Sequence, residues 1–204
     1  MKNSLKSLTV LLLIVLAFCF DSQVYAQYFP IDTAVLNNSY ADFKADPSYD
    51  NQKAFFNAFP SHFDEFMMVY GYWKSKDYDL TMYRKSYDHI WLGLAKLDLI
   101  PDTLFCDKLI QLSFLGHWEA DGPGDLQRLV RKTTREKSET MFKLLKEFSK
   151  GQQVSFWLFY FNSRFEKTNY SDFNKFQKEM MKDFPEVVKS MEIAYPASEG
   201  MVWY

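Results

Sequence analysis

The chain has 204 residues, of which 48% are hydrophobic and 19% aromatic, with 24 Lys+Arg against 26 Asp+Glu and a formal net charge of −2. A balance this near neutrality gives no global pull toward nucleic acid or an anionic membrane surface. The length suits a single domain with a real buried core, and the aromatic share offers large rings to pack it.

Lys2 and Lys6 precede an apolar stretch from Leu8 to Phe20. That stretch matches the ~7–15 residues of a signal h-region and falls short of the ~20 a membrane-spanning helix needs. Val24 and Ala26 then place small residues where a signal peptidase cuts, so residues 1–26 read as a signal peptide cleaved before Gln27. Cys19 follows Phe18, a residue too bulky for lipid attachment at that cysteine. The expected address is the periplasm or the outside of the cell. After cleavage only Cys106 remains, so no intramolecular disulfide forms, and its apolar neighbourhood marks it as a small core residue.

Residues 27–204 read as one compact all-α, multi-helix domain with an aromatic-rich core. From Gln27 to Ala45 the chain looks irregular, with Asn37-Asn38-Ser39 as turn material. Asp46-Pro47 has the form of an N-cap followed by proline at the first helical position, for a helix running to Phe59 and stopped by Pro60. Ser61 is the expected cap of the next helix, with Asp64 and Glu65 in its first turn. Phe63, Phe66, Met67 and Tyr70 form one face of that helix, and Gly71 ends it. A polar loop from Lys74 to Asp79 leads to a helix after Ser86, whose face is Tyr87, Ile90, Trp91 and Leu94.

Asp102 opens a broadly apolar helix through Phe105, Leu109, Leu112 and Phe114, closed by Gly116; its wide apolar arc predicts a central position. Gly122-Pro123-Gly124 separates it from a helix beginning near Asp125. Thr133 and Glu136 could form a capping box that starts a new helix, or lie inside one long helix. Met141, Leu144, Leu145 and Phe148 carry the core face onward until Gly151 breaks the pattern. Phe156 to Phe161 suits a buried strand or a buried helix by periodicity; with no convincing partner strand, helix is the better reading. Ser171 is the expected cap for a helix carrying Phe173, Phe176, Met180 and Phe184. A last helix follows Pro185 and ends at Pro196. The apolar tail Met201-Val202-Trp203-Tyr204 is expected to dock on the body or on a partner.

Chemistry-bearing residues are sparse. The three histidines make no His-x-x-x-His pair, and His62 and His89 read as ordinary surface residues. The most crowded segment is Gly116-His117-Trp118-Glu119-Ala120-Asp121, a helix connector in which His117 and two carboxylates could hold a metal or support acid/base work. The plainer reading has Asp121 capping the next helix, Trp118 on the core and Glu119 in solvent. Arg128, Arg131, Lys132 and Arg135 lie three and four apart and form one basic stripe, opposite Leu126, Leu129, Val130 and Thr133. Such a stripe is either a solvated face or a contact for an acidic partner. No phosphate-cradling glycine loop, nucleophile elbow or Cys/His pair is visible.

Phe55-Phe56-Asn57-Ala58-Phe59-Pro60, then Phe63, Phe66 and Tyr70-Gly71-Tyr72, resembles small exported helical proteins of Gram-negative bacteria with a Phe-Pro, Phe, Tyr-Gly-Tyr pattern. Tyr83 to Ile90, ending in Asp88-His89-Ile90, is similar to their next element. Gly116 to Asp121 resembles their Trp-x-Ala-Asp motif, and Phe156-Trp157 to Phe161 their aromatic helix. The resemblance covers most of residues 50–165 and departs from the pattern at Gly122-Pro123-Gly124. It implies family and fold but no activity, and it carries over no catalytic residue.

These readings lead to an exported, non-catalytic protein-binding module, in its sharpest form an immunity-type protein that neutralises an envelope-acting toxin. The expected contacts are Trp118, Glu119 and Asp121 or Arg128, Arg131, Lys132 and Arg135, with a protein partner, no nucleic acid, no metal and no cofactor. The alternatives are an envelope-acting enzyme centred on His117, Glu119 and Asp121, or a structural component of envelope assembly.

Overall fold

In a computed structural model, residues 31–72, 80–117, 121–162 and 166–199 are described, and no strand occurs among them. The expected leader, the Lys74–Asp79 loop, Trp118, Glu119 and the Met201–Tyr204 tail lie outside the described residues. The α-helices are α1 (Thr33–Ala45), α2 (Tyr49–Ala58), α3 (Phe63–Tyr70), α4 (Thr81–Tyr87), α5 (Asp102–Ser113), α6 (Gly122–Glu136), α7 (Ser138–Leu145), α8 (Lys150–Phe161), α9 (Glu166–Met180) and α10 (Pro185–Glu199). A π-helical turn, Asp88–Gly93, and a short 3₁₀ turn, Leu94–Lys96, continue α4 without a break. The domain is all-α, with one compact unit from Ile31 onward.

Local chemistry explains most helix starts. The Asp32 carboxylate accepts from the backbone N–H groups of Ala34 and Val35, so α1 begins in the region expected to be irregular. Asn37-Asn38-Ser39 lies inside it: the Asn37 amide bonds the Thr33 carbonyl and the Ser39 hydroxyl bonds that of Leu36, so residues that favour turns are absorbed into the helix. Asp46 ends α1 and Ser48 opens α2, two residues beyond the expected cap. Asp46 still serves the junction, because its carbonyl and carboxylate both accept from the Asn51 amide. At α3 the Glu65 carboxylate reaches back to the N–H groups of Ser61 and His62, and His62 takes the cap position expected of Ser61.

Five further boundaries differ from expectation. The helix placed after Ser86 begins at Thr81. Gly122-Pro123-Gly124 is the first turn of α6, with proline where its missing N–H costs nothing. Gly151 sits in the first turn of α8, and Ser171 lies within α9. Pro196 lies inside α10 instead of ending it. Thr133 and Glu136 belong to one long α6, and Phe156–Phe161 is helical.

Rings dominate the core. On the N-terminal side Phe55, Phe59, Phe66 and Tyr70 interlock with centroids 4.9–6.3 Å apart. On the C-terminal side Trp157 touches Phe142, Phe156, Tyr160, Phe161 and Phe176 at 4.9–5.9 Å. Phe63, which also meets Phe66, lies edge-on to Phe159 of α8 at 5.7 Å. Each fully buried ring contributes ~1.5–3 kcal/mol through area, and each well-placed ring pair adds ~0.5–1.5 kcal/mol. Close approach of a ring requires glycine at positions 93 and 116. A Cβ at Gly93 would come within 2.8 Å of the Phe55 ring, and one at Gly116 within 2.6 Å of Phe159.

α8 and α10 form the broadest helix pair, while α6 touches α3, α4, the π turn, α5, α7 and α8. α5 is central as expected, burying Phe105, Cys106, Leu109, Ile110 and Leu112. α6 therefore buries most of its circumference, and its remaining side carries the cations.

Candidate partner-binding groove on α6

Leu126, Leu129, Val130 and Thr133 of α6 are buried, as their spacing predicts. The opposite side is not the solvated row that spacing alone suggests. Arg131 is 4% exposed, and its guanidinium lies 5.3 Å from the Tyr160 ring centroid and 3.4 Å from Asp172. Arg135 reaches the same Asp172 oxygen at 3.1 Å, and the Tyr160 hydroxyl donates to it at 2.8 Å. Burial, then the Asp172 charge beside it, pushes the Tyr160 hydroxyl pKa far up, so this proton stays on. Asp172 is itself buried, a hub whose partners come from α6 and α8.

Near the N-terminus of α6 a second buried carboxylate also holds a cation. Asp125 accepts from the Trp91 indole N–H at 2.8 Å and from the Arg128 guanidinium. Lys132 pairs with Glu136 at 3.2 Å, both side chains about half exposed. Gln127 fixes the register of the helix by donating to the carbonyls of Phe159 and Asn162 at 2.5 and 2.6 Å. Between these groups opens a groove of about 330 Å³, lined by Trp91, Arg128, Arg131, Lys132 and Arg135 with exposed Thr168. The structure thus brings the four cations predicted from spacing to one concavity, and adds Trp91, Asp125 and Asp172 around them.

The described connector residues His117 and Asp121 each engage a different ring. The Asp121 carboxylate accepts from the Tyr83 hydroxyl. Its backbone takes the N-cap position at φ 62°, but its side chain makes no capping bond, contrary to the plain expectation. The His117 ring packs edge-on against Phe63 at 5.1 Å. Trp118 and Glu119 lie outside the described residues.

His89 overturns its expectation of exposure: it is 1% exposed, while Tyr87 is 56% exposed. The buried face runs Met82, Ser86, His89, Ile90, Gly93 and Leu94, three and four apart, which turns His89 inward and Tyr87 outward. His89 Nδ1 shares a 2.8 Å hydrogen bond with the Tyr70 hydroxyl, and its ring lies against Tyr40 and Phe55. Its buried Nε2 has no hydrogen-bond partner among the described residues. Burial, then the nearby Lys85 charge, lowers the His89 pKa to about 4, so the ring is neutral near pH 7.

A second, smaller pocket of about 220 Å³ adjoins Phe56, Ser61, Leu104 and Lys108. The Lys108 ammonium donates to the carbonyls of Phe59 and Pro60 and to the Ser61 hydroxyl, and lies 4.7 Å over the Phe56 ring. It ties the end of α2 to α5, and burial lowers its pKa to about 8. Among the described residues, no group of three or more His, Cys, Asp or Glu is placed to hold a metal, and no helix is long and apolar enough to cross a membrane.

No family model, curated protein or solved structure matches this chain. The reading of its function therefore rests on the residues themselves.

Asp172 and Trp91 went unseen in the sequence because their charged partners lie 34–41 positions away. Asp125 offered a readable sign, since it stands three residues before Arg128, a spacing that pairs charges on a helix.

Proposed function

We propose that this protein is an exported, non-catalytic recognition module that binds a protein partner through the α6 groove, in its sharpest form an immunity-type protein acting in the cell envelope. One observation carries the reading. The two buried carboxylates of the groove, Asp125 and Asp172, are committed to orienting Trp91 and three arginines, and not to a reacting atom. Side chains held this way meet a partner with little further ordering cost, the property that lets Arg and Trp dominate protein contacts. Export rests on the Lys2-to-Ala26 leader pattern. The enzyme reading draws no support from His117 and Asp121, which engage Phe63 and Tyr83 on different helices.

The test is co-purification of the tagged full chain from the envelope fraction of its own host, with expression of the neighbouring gene in the presence and absence of this one. A stoichiometric protein partner, and a neighbour toxic only when this chain is missing, are the expected results. Isolation without any bound protein, together with a harmless neighbour, would remove the proposal.

A further inference from the structure

We infer that the α6 groove is built for an acidic peptide segment in which a carboxylate lies beside an apolar side chain. This rests on the protein-binding reading and names the chemistry of the partner.

Charge comes first. Arg128, Lys132 and Arg135 present side chains that are 54%, 49% and 37% exposed, above the buried Arg131. Their acidic counterweights are Asp125 and Asp172, both buried and already engaged, and Glu136 beside Lys132. Among the described residues four cations against three carboxylates leave the wall positive, and the carboxylates stand behind or beside the cations. An incoming carboxylate meets donors first. Guanidinium forks suit a carboxylate because they offer paired, coplanar N–H groups.

Orientation comes second. Asp172 holds Arg131 and Arg135 on one oxygen, and Asp125 holds Arg128 together with the Trp91 indole. The indole is thereby fixed at the groove wall, where its ring is an apolar surface next to the cations. A ligand that is only anionic leaves that ring uncovered. A carboxylate followed by an aromatic or aliphatic side chain satisfies both halves of the site.

Size and openness come third. About 330 Å³ is at the small end of small-molecule pockets, which enclose most of their ligand. Here half-exposed side chains line the groove, which suits side chains projecting from a segment that passes over it. The chain's net charge of −2 argues against a polyanionic nucleic acid, which needs a broad basic surface.

The test follows the Trp91 indole N–H signal in ¹⁵N-labelled full-length protein, assigned by its loss in Trp91→Phe. The probes are a Glu/Tyr copolymer, polyglutamate, polylysine and a single-stranded oligonucleotide. The copolymer is expected to shift the signal, to bind more tightly than polyglutamate and to weaken as salt rises. The variant Arg128→Gln/Lys132→Glu keeps its helical circular dichroism and weakens copolymer binding by about tenfold or more, the worth of one charge-assisted hydrogen bond. No shift with either acidic polymer, an equal response to polylysine, or tighter binding of the oligonucleotide would overturn the inference. The two readings fail separately. A native partner retained equally by the double variant removes the acidic-segment inference and leaves the protein-binding reading standing. If no native partner exists, the polymer titration still decides the chemistry of the groove.

Discussion

Tyr70 and Tyr160 are both buried tyrosines packed among phenylalanines, and their hydroxyls meet different fates. Tyr70, in the N-terminal cluster, shares its hydrogen bond with a neutral imidazole, and the far nitrogen of that imidazole is left without a partner among the described residues. Tyr160, in the C-terminal cluster, donates to a carboxylate that two arginines also hold. Buried charge is tolerated only where several donors meet it at once, because the desolvation penalty is otherwise too large. The paired, charged network borders the groove, and the neutral pair lies in the closed core. The contrast separates a polar group that serves packing from a polar network that prepares a surface.

The largest effect that would test this contrast is at the centre of the C-terminal cluster. Trp157→Ala removes a fully buried ring in contact with five others and is expected to cost about 3–5 kcal/mol by urea unfolding. A cost under about 1 kcal/mol would mean that the cluster does not carry the fold.

Acid comes next and acts on the N-terminal cluster. His89 has a folded pKa of about 4 against an ordinary 6.5, so its neutral form contributes full stability above pH 6.5. As pH falls below that value the unfolded chain takes up the proton first, and stability drains until the folded pKa is reached, by about 3 kcal/mol in all. In urea titrations between pH 7 and 4, His89→Phe should lack this component. Superimposable pH profiles for the two proteins would show that His89 is not the group responsible.

The smallest effect compares the two hydroxyls directly. Tyr160→Phe withdraws a donor from buried Asp172 and should cost about 2 kcal/mol, whereas Tyr70→Phe withdraws one from a neutral ring and should cost about 1 kcal/mol. Thermal unfolding of both variants measures the difference. The reverse order would place the more demanding polar group in the N-terminal cluster.

The helical face Phe63, Phe66 and Tyr70 and the buried helix through Phe156–Phe161 were legible in the sequence, because their ring spacing has one low-energy solution in an all-α chain. Asn37-Asn38-Ser39 misled because turn propensity is weak beside the burial of Leu36 and Phe43 on the same helix. His89 misled because Ile90 and Leu94 fit two neighbouring helical faces, and the buried one runs through Met82, Ser86 and His89, not through Tyr87 and Trp91. In the groove, the cations of α6 were legible as a row on one helix. Their setting was not: Asp172 arrives from α9 and Trp91 from the π turn, and pairing between distant segments leaves no local trace.

Cys106 lies wholly inside α5's packed side, and burial pushes its thiol up to about 11. At neutral pH it offers almost no thiolate to a maleimide. In a chain carrying Cys19→Ser, a single cysteine introduced at exposed Thr168 beside the groove would then be the one fast-reacting handle. A fluorophore or spin label attached there would report occupancy of the groove directly, without dissecting the signals of five tryptophans.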